Sequence, residues 1–74
     1  MAKSIYSKDY REIIRRLRRS RLAAGFTQKE VAEKFNKPQS FISKIESGER
    51  RLDISELKKL VRLYKGDVKD ILGQ

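Results

Sequence analysis

Gln39, Ser40, Ser43 and Lys44 are the residues in this chain whose types and spacing best suit them to chemistry, because they follow Pro38 at intervals that place all four on one ridge of a short helix. Ile42 and Ile45 take the opposite face, which leaves the ridge to solvent. Gln can bond N6 and N7 of adenine, Ser can donate or accept, and Lys can reach O6 and N7 of guanine or a phosphate. Such a ridge is able to read the major groove of double-stranded DNA. Phe41 beside it either joins the DNA-facing surface, against a thymine methyl or the backbone, or covers the rim of the core. No catalytic constellation competes with this reading. The chain has no His and no Cys, which excludes disulfides, Cys/His zinc sites and Cys or His nucleophiles and bases. Its Ser, Asp and Glu residues fall at helix caps and on solvent faces, so neither an enzyme nor a cofactor is expected.

A ridge of this kind needs a second helix to brace it. Thr27 and Glu30 form an S/T-x-x-E capping box directly after Gly25, which starts a helix at Gln28. Val31, Ala32 and Phe35 share one face, with Lys29, Glu33 and Lys34 on the other. Ala32 is small, as two helices crossing steeply over a tight turn require. Asn36 tolerates the left-handed conformation that ends a helix, and Pro38 disfavours a helical Lys37, so the turn lies at Asn36 and Lys37. Residues 27–48 therefore read as a helix-turn-helix.

In Gly25-Phe26-Thr27-Gln28, Val31-Ala32, Gln39-Ser40, Ile42-Ser43, Ile45-Glu46 and Gly48, all in register, the chain resembles the Cro and phage-repressor type of helix-turn-helix, the XRE family of bacterial and phage regulators. The likeness extends roughly from Ile13 to Leu72. It implies an all-α, λ-repressor-like DNA-binding domain in which Gln28 contacts phosphate and braces the recognition helix. It also implies base-edge or adjoining phosphate contacts from Gln39, Ser40, Ser43 and Lys44, and an ion pair between Arg21 and Glu46 that orients the helices. Pro38 stands where a Ser or Thr often opens the recognition helix, which removes a side-chain cap and a hydroxyl contact to phosphate. The family often dimerises through its C-terminal helices, which makes Tyr64, Val68, Ile71 and Leu72 the interface candidates; for Val68 and Ile71 closure of the monomer core is nearly as good a reading.

The remaining elements follow from pattern. Residues 8–24 read as helix one, capped by Ser7 or Asp9, with Ile13, Ile14, Leu17 and Ala24 as its apolar stripe and Arg11, Arg15, Arg18 and Arg19 on the other faces. Residues 1–8 form an N-terminal arm ahead of a domain spanning 9–74. Within the arm, Ile5 and Tyr6 can pack on the domain and Lys3 can approach phosphate, although a frayed terminus is the favoured reading. Residues 49–52 form the loop leaving the recognition helix, where Arg50 and Arg51 suit the DNA backbone and Glu49 turns to solvent or to an Arg. Asp53 and Glu56 cap a fourth helix carrying Leu57, Leu60, Val61 and Tyr64 and ending at Gly66; Asp67, Val68, Ile71 and Leu72 suggest a short fifth. The expected fold is a five-helix bundle with a core of Leu17, Val31, Phe35, Ile42, Ile45, Leu57, Leu60 and Val61, and with Ile54 and Ile71 at its edge.

Composition agrees. Nineteen Lys and Arg against ten Asp and Glu give a net charge of +9 on 74 residues, which suits a polyanion, although much of that charge can be simple solvated surface. One core is all this length supports. No apolar run is long enough for a signal peptide or a membrane span, so a cytoplasmic, nucleoid-associated protein of bacterial or phage type is expected. With so short a tail, no separate ligand-sensing or oligomerisation domain is expected. The expected function is sequence-specific transcription regulation, as a repressor acting on a palindromic operator as a homodimer. The alternatives are the DNA-binding antitoxin of a toxin-antitoxin pair, with a toxin or other protein partner, and a non-specific basic nucleic-acid-binding module. An Arg-rich helix one lying on an anionic membrane is disfavoured, because Leu17 is needed in the core.

Overall fold

In a computed structural model the chain forms α1 (Lys8–Ala23), α2 (Gln28–Lys34), α3 (Gln39–Ser47), α4 (Ile54–Leu63) and α5 (Val68–Leu72). The structure describes residues 7–72, the side chain of Val68 excepted. The readings made for Lys3, Ile5 and Tyr6, and for the Val68 side chain, lie outside the described residues.

Each helix begins where local chemistry supplies acceptors for its unpaired amides. Ser7 Oγ accepts from the Tyr10 N–H at 3.0 Å to open α1. Full capping boxes open α2 (Thr27 with Glu30) and α4 (Asp53 with Glu56), whereas Pro38 opens α3 with no side-chain bond. Turns end the helices by going left-handed: Gly25 has φ +83° with nothing near its missing Cβ, so backbone conformation and not space selects glycine there. Asn36 has φ 55°, as its residue type suggests.

The fourth helix, expected to end at Gly66, ends at Leu63 with Tyr64 as its C-cap. Lys65, not Gly66, takes the left-handed conformation, with φ 56°. Gly66 sits close to α1: a Cβ there would lie 3.1 Å from Ser20 Oγ, a tight contact that the hydroxyl would have to relieve.

The core gathers Leu17, Val31, Ala32, Ile42, Leu57, Leu60, Val61, Tyr64 and Ile71, with Phe26, Phe35, Phe41, Leu52 and Leu72 packed around it. Ile14 and Ile45 are also buried. Ala32, on the buried face of α2, is 1% exposed and joins the core. Truncating any of the fully enclosed Ile42, Ile45 or Leu60 to Ala would cost about 2–5 kcal/mol.

Four expectations about the core are corrected. Ile54, placed at its edge, is 70% exposed, because it is the first residue of α4 and points away from the bundle. Ala24 caps α1 and is exposed instead of extending its apolar stripe. Phe35 is only half-buried at the C-cap of α2. Tyr64 and Ile71, offered as interface residues, are 5% and 4% exposed within the single chain, which for Ile71 is the core closure given as its alternative reading. Leu72 remains partly buried at the bundle's end.

Candidate nucleic-acid interface

The ridge of α3 is built as its pattern requires. Ile42 and Ile45 anchor the inner face at 1% exposure each, which forces Gln39, Ser40 and Lys44 to the exposed side and leaves Ser43 half-buried beside them. Because Ile42 and Ile45 cannot turn outward without losing their burial, the four polar side chains have a fixed azimuth.

Behind the ridge runs a chain of polar contacts from α1 to the first turn of α3. Arg21 Nε donates to Glu46 Oε2 at 2.7 Å and its Nη2 to Glu46 Oε1 at 3.2 Å, while Nη1 donates to the Phe26 carbonyl at 2.7 Å. The paired side chains are each 7% exposed. Glu46 Oε1 also accepts from Gln28 Nε2 at 2.9 Å, and Arg18 Nε stands 3.8 Å away. Gln28 Oε1 in turn accepts from Gln39 Nε2 at 3.3 Å. The polarity of this chain is dictated at its buried end. A carboxylate can only accept, so Gln28 must give its amide N–H to Glu46 and turn its oxygen toward Gln39. Gln39 then spends one N–H on Gln28 and keeps its Oε1 and second N–H for another partner. That remaining donor and acceptor match N7 and N6 of adenine.

The α3–α4 loop lies alongside. Arg51 stacks on the Tyr10 ring at 5.0 Å, and the Tyr10 hydroxyl accepts from the Leu52 N–H at 2.8 Å, which ties the loop to the start of α1. Arg50 grips Glu56 through Nη1 to Oε1 at 2.9 Å and Nη2 to Oε2 at 3.0 Å, and its guanidinium covers the Phe41 ring at 4.7 Å. The Arg50 guanidinium beside Glu56 holds that carboxyl below its ordinary value, and the pairing raises Arg50. Asp53 is likewise lowered, by the Glu56 N–H and the Ser55 hydroxyl that it accepts from. Glu49 accepts from the Ser47 hydroxyl at 3.3 Å, on the exposed side of the loop.

The structure thus brings Gln28, Gln39 and the Arg21–Glu46 pair into one network and sets Ser40, Ser43 and Lys44 beside it. Phe41 lies half-buried against Phe35, with ring centroids 6.0 Å apart, at the rim of the core. Two contributors escaped sequence reasoning. Tyr10 gave no signal beyond its place near the start of α1, and Glu56 was legible only as a capping residue.

A helix-turn-helix family model matches residues 17–71, from the middle of α1 into α5. The chain belongs to this family, in its XRE branch. It is a family of DNA-binding domains and not of enzymes. Among its relatives is the HTH-type transcriptional regulator ImmR of Bacillus subtilis (strain 168), 40% identical over 60 residues that make up 81% of this chain and 47% of that protein. The chain therefore spans about half the length of this curated relative. Among the described residues, no helix is long and apolar enough to cross a membrane.

Proposed function

We propose that this chain is a sequence-specific, double-stranded DNA-binding transcription regulator, acting as a repressor on a palindromic operator and working in the cytoplasm at the nucleoid. The observation that carries the reading is the contact chain Arg21–Glu46–Gln28–Gln39, which presents Gln39 with a set donor and acceptor at the exposed start of α3. In this reading Gln39 reads adenine, Ser40, Ser43 and Lys44 complete the base-edge and adjoining phosphate contacts, and Gln28 and Arg51 grip the backbone. The relative's role as a transcriptional regulator supports it. A homodimer follows from footprint: one nine-residue recognition helix spans few base pairs, and two copies on a palindrome double the discrimination. Leu72 is the described residue left to contribute apolar surface at the C-terminal end.

A module that binds single strands by stacking is less well supported, because the described aromatic residues, Tyr10, Phe26, Phe35, Phe41 and Tyr64, are all at least half-buried.

The test is selection of bound duplexes from a random pool at physiological salt, followed by titration of the winner against a scrambled duplex. An enriched palindrome preferred by a factor on the order of 10³ or more is expected. Gln39→Ala should relax preference at one adenine position at a cost of about 1–3 kcal/mol. Arg51→Ala should instead weaken every duplex alike and reduce the salt slope by about one. Equal binding of all duplexes by the unaltered chain would overturn the reading.

A further inference from the structure

Arg50 stands in the loop between α3 and α4. α3 and α4 are joined by the short 48–53 loop and share the core through Ile42, Leu57 and Leu60. The Arg50 side chain bridges them. Its guanidinium lies on the ring of Phe41, the residue directly after Gln39 and Ser40, and its fork closes on Glu56 in the first turn of α4. The same Glu56 Oε1 accepts from the Asp53 N–H at 3.1 Å, so the carboxylate that holds Arg50 also caps α4. Arg50 Nη1 reaches the Arg51 carbonyl at 3.2 Å, and the Arg50 N–H donates to the Lys44 carbonyl at 3.0 Å.

We propose that Arg50 is a positioning residue for DNA recognition, which locks the first turn of α3 and the α3–α4 loop to the start of α4 through the Phe41–Arg50–Glu56 stack. The proposal rests on the DNA-binding reading above. It assigns Arg50 away from the phosphate backbone, where residue type and loop position would put it. The physical basis is twofold. A guanidinium engaged in a fork with a carboxylate forms a pair of zero net charge, which releases few counterions from DNA. A planar fork that also offers a face to an aromatic ring cannot be replaced by the point charge of an ammonium.

The two roles give opposite results in charge-conserving and charge-removing variants of the full chain. The probes are the duplex enriched from a random pool and a scrambled duplex of equal length. For a positioning role, Arg50→Lys loses about fivefold in affinity for the enriched duplex, as Arg50→Ala does, and both keep the salt slope of the unaltered chain. Glu56→Gln removes a negative charge, so simple electrostatics would tighten binding. The positioning role requires it to weaken binding of the enriched duplex instead, and Arg50→Lys combined with Glu56→Gln adds little further loss. Phe41→Leu, which keeps the apolar packing and removes the ring face, weakens the same duplex without altering the slope.

Retention of affinity by Arg50→Lys, with a slope reduced by about one in Arg50→Ala, would identify a phosphate contact and overturn the proposal. Tighter binding by Glu56→Gln would do the same. Amide hydrogen exchange without DNA provides an independent reading: Arg50→Lys should speed exchange at residues 50–53, and unchanged exchange counts against the clamp. If the unaltered chain enriched no duplex, the DNA-binding reading would fall while exchange still judged the clamp.

Discussion

Replacing Glu46 by Leu removes, in one step, the acceptor of three hydrogen bonds: those from Arg21 Nε at 2.7 Å, Arg21 Nη2 at 3.2 Å and Gln28 Nε2 at 2.9 Å. Arg21 would keep the Phe26 carbonyl at 2.7 Å but lose its counter-charge at a site only 7% exposed, with Arg18 close by to repel it. Stranding one member of a buried pair costs about 3–5 kcal/mol, and the surviving carbonyl bond places this case near about 3. A domain of this size holds on the order of 4–11 kcal/mol in total. The variant should therefore still fold, with its melting temperature lowered by about 12–24 °C. Arg21→Met, which strands the carboxylate, should cost about as much. The pair of substitutions together should lie within about 2 kcal/mol of the original, because apolar groups of similar volume carry no desolvation penalty. Urea denaturation followed by circular dichroism of all four proteins completes the cycle. If the two losses simply added, to within about 0.5 kcal/mol, the pair would not be coupled and the argument from burial would be refuted. DNA binding by the stable double variant separates stability from orientation: with Gln28 no longer anchored, affinity for the enriched duplex should drop while that for scrambled DNA holds.

Gly66→Ala should destabilise by about 1 kcal/mol, because the new Cβ would sit 3.1 Å from Ser20 Oγ; adding Ser20→Ala should recover the loss, which thermal unfolding can verify. Lys65→Gly should raise stability by about 1 kcal/mol in the same assay, by relieving a left-handed conformation at φ 56°. Stability should fall at both pH extremes. The lowered carboxyl of Glu56 contributes stability that is complete above its ordinary value of 4.5 and is lost as pH drops through the folded value, so Glu56→Gln should flatten the acid limb of a pH–stability profile. Burial raises the Tyr64 phenol above its ordinary 10.0, so its contribution is complete below that pH and lost on further increase; Tyr64→Phe should flatten the alkaline limb.

Much of this molecule was legible in its residues because the relevant interactions are short in sequence. The capping boxes at Thr27/Glu30 and Asp53/Glu56 join residues three apart, and the inward pairing of Ile42 with Ile45 is a single-turn pattern. The Arg21–Glu46 pair spans 25 residues, and it was legible through family resemblance and not through local pattern. What failed concerned the fate of apolar residues at helix ends. Ile54, Ala24, Tyr64 and Ile71 sit where period alone cannot say whether the next element covers them. The turn after α4 was legible only as a stop near Gly66. A glycine after a helix suggests a left-handed cap, but here Lys65 takes that conformation and Gly66 lies close to Ser20 of α1, an approach that no local signal carries.

By itself, then, the sequence determined the helices, their caps, the azimuth of the α3 ridge and the family, since each depends on spacing within a few turns or on a matched motif. Outside the Arg21–Glu46 pair, the tertiary structure alone decided which partners the long polar side chains take. Arg50 closes on Glu56 and Phe41, Tyr10 ties down Leu52, and Gln28 turns its oxygen to Gln39 because Glu46 can only accept. A long side chain with several rotatable bonds can reach many neighbours, and only the packing of the helices leaves one within hydrogen-bond range.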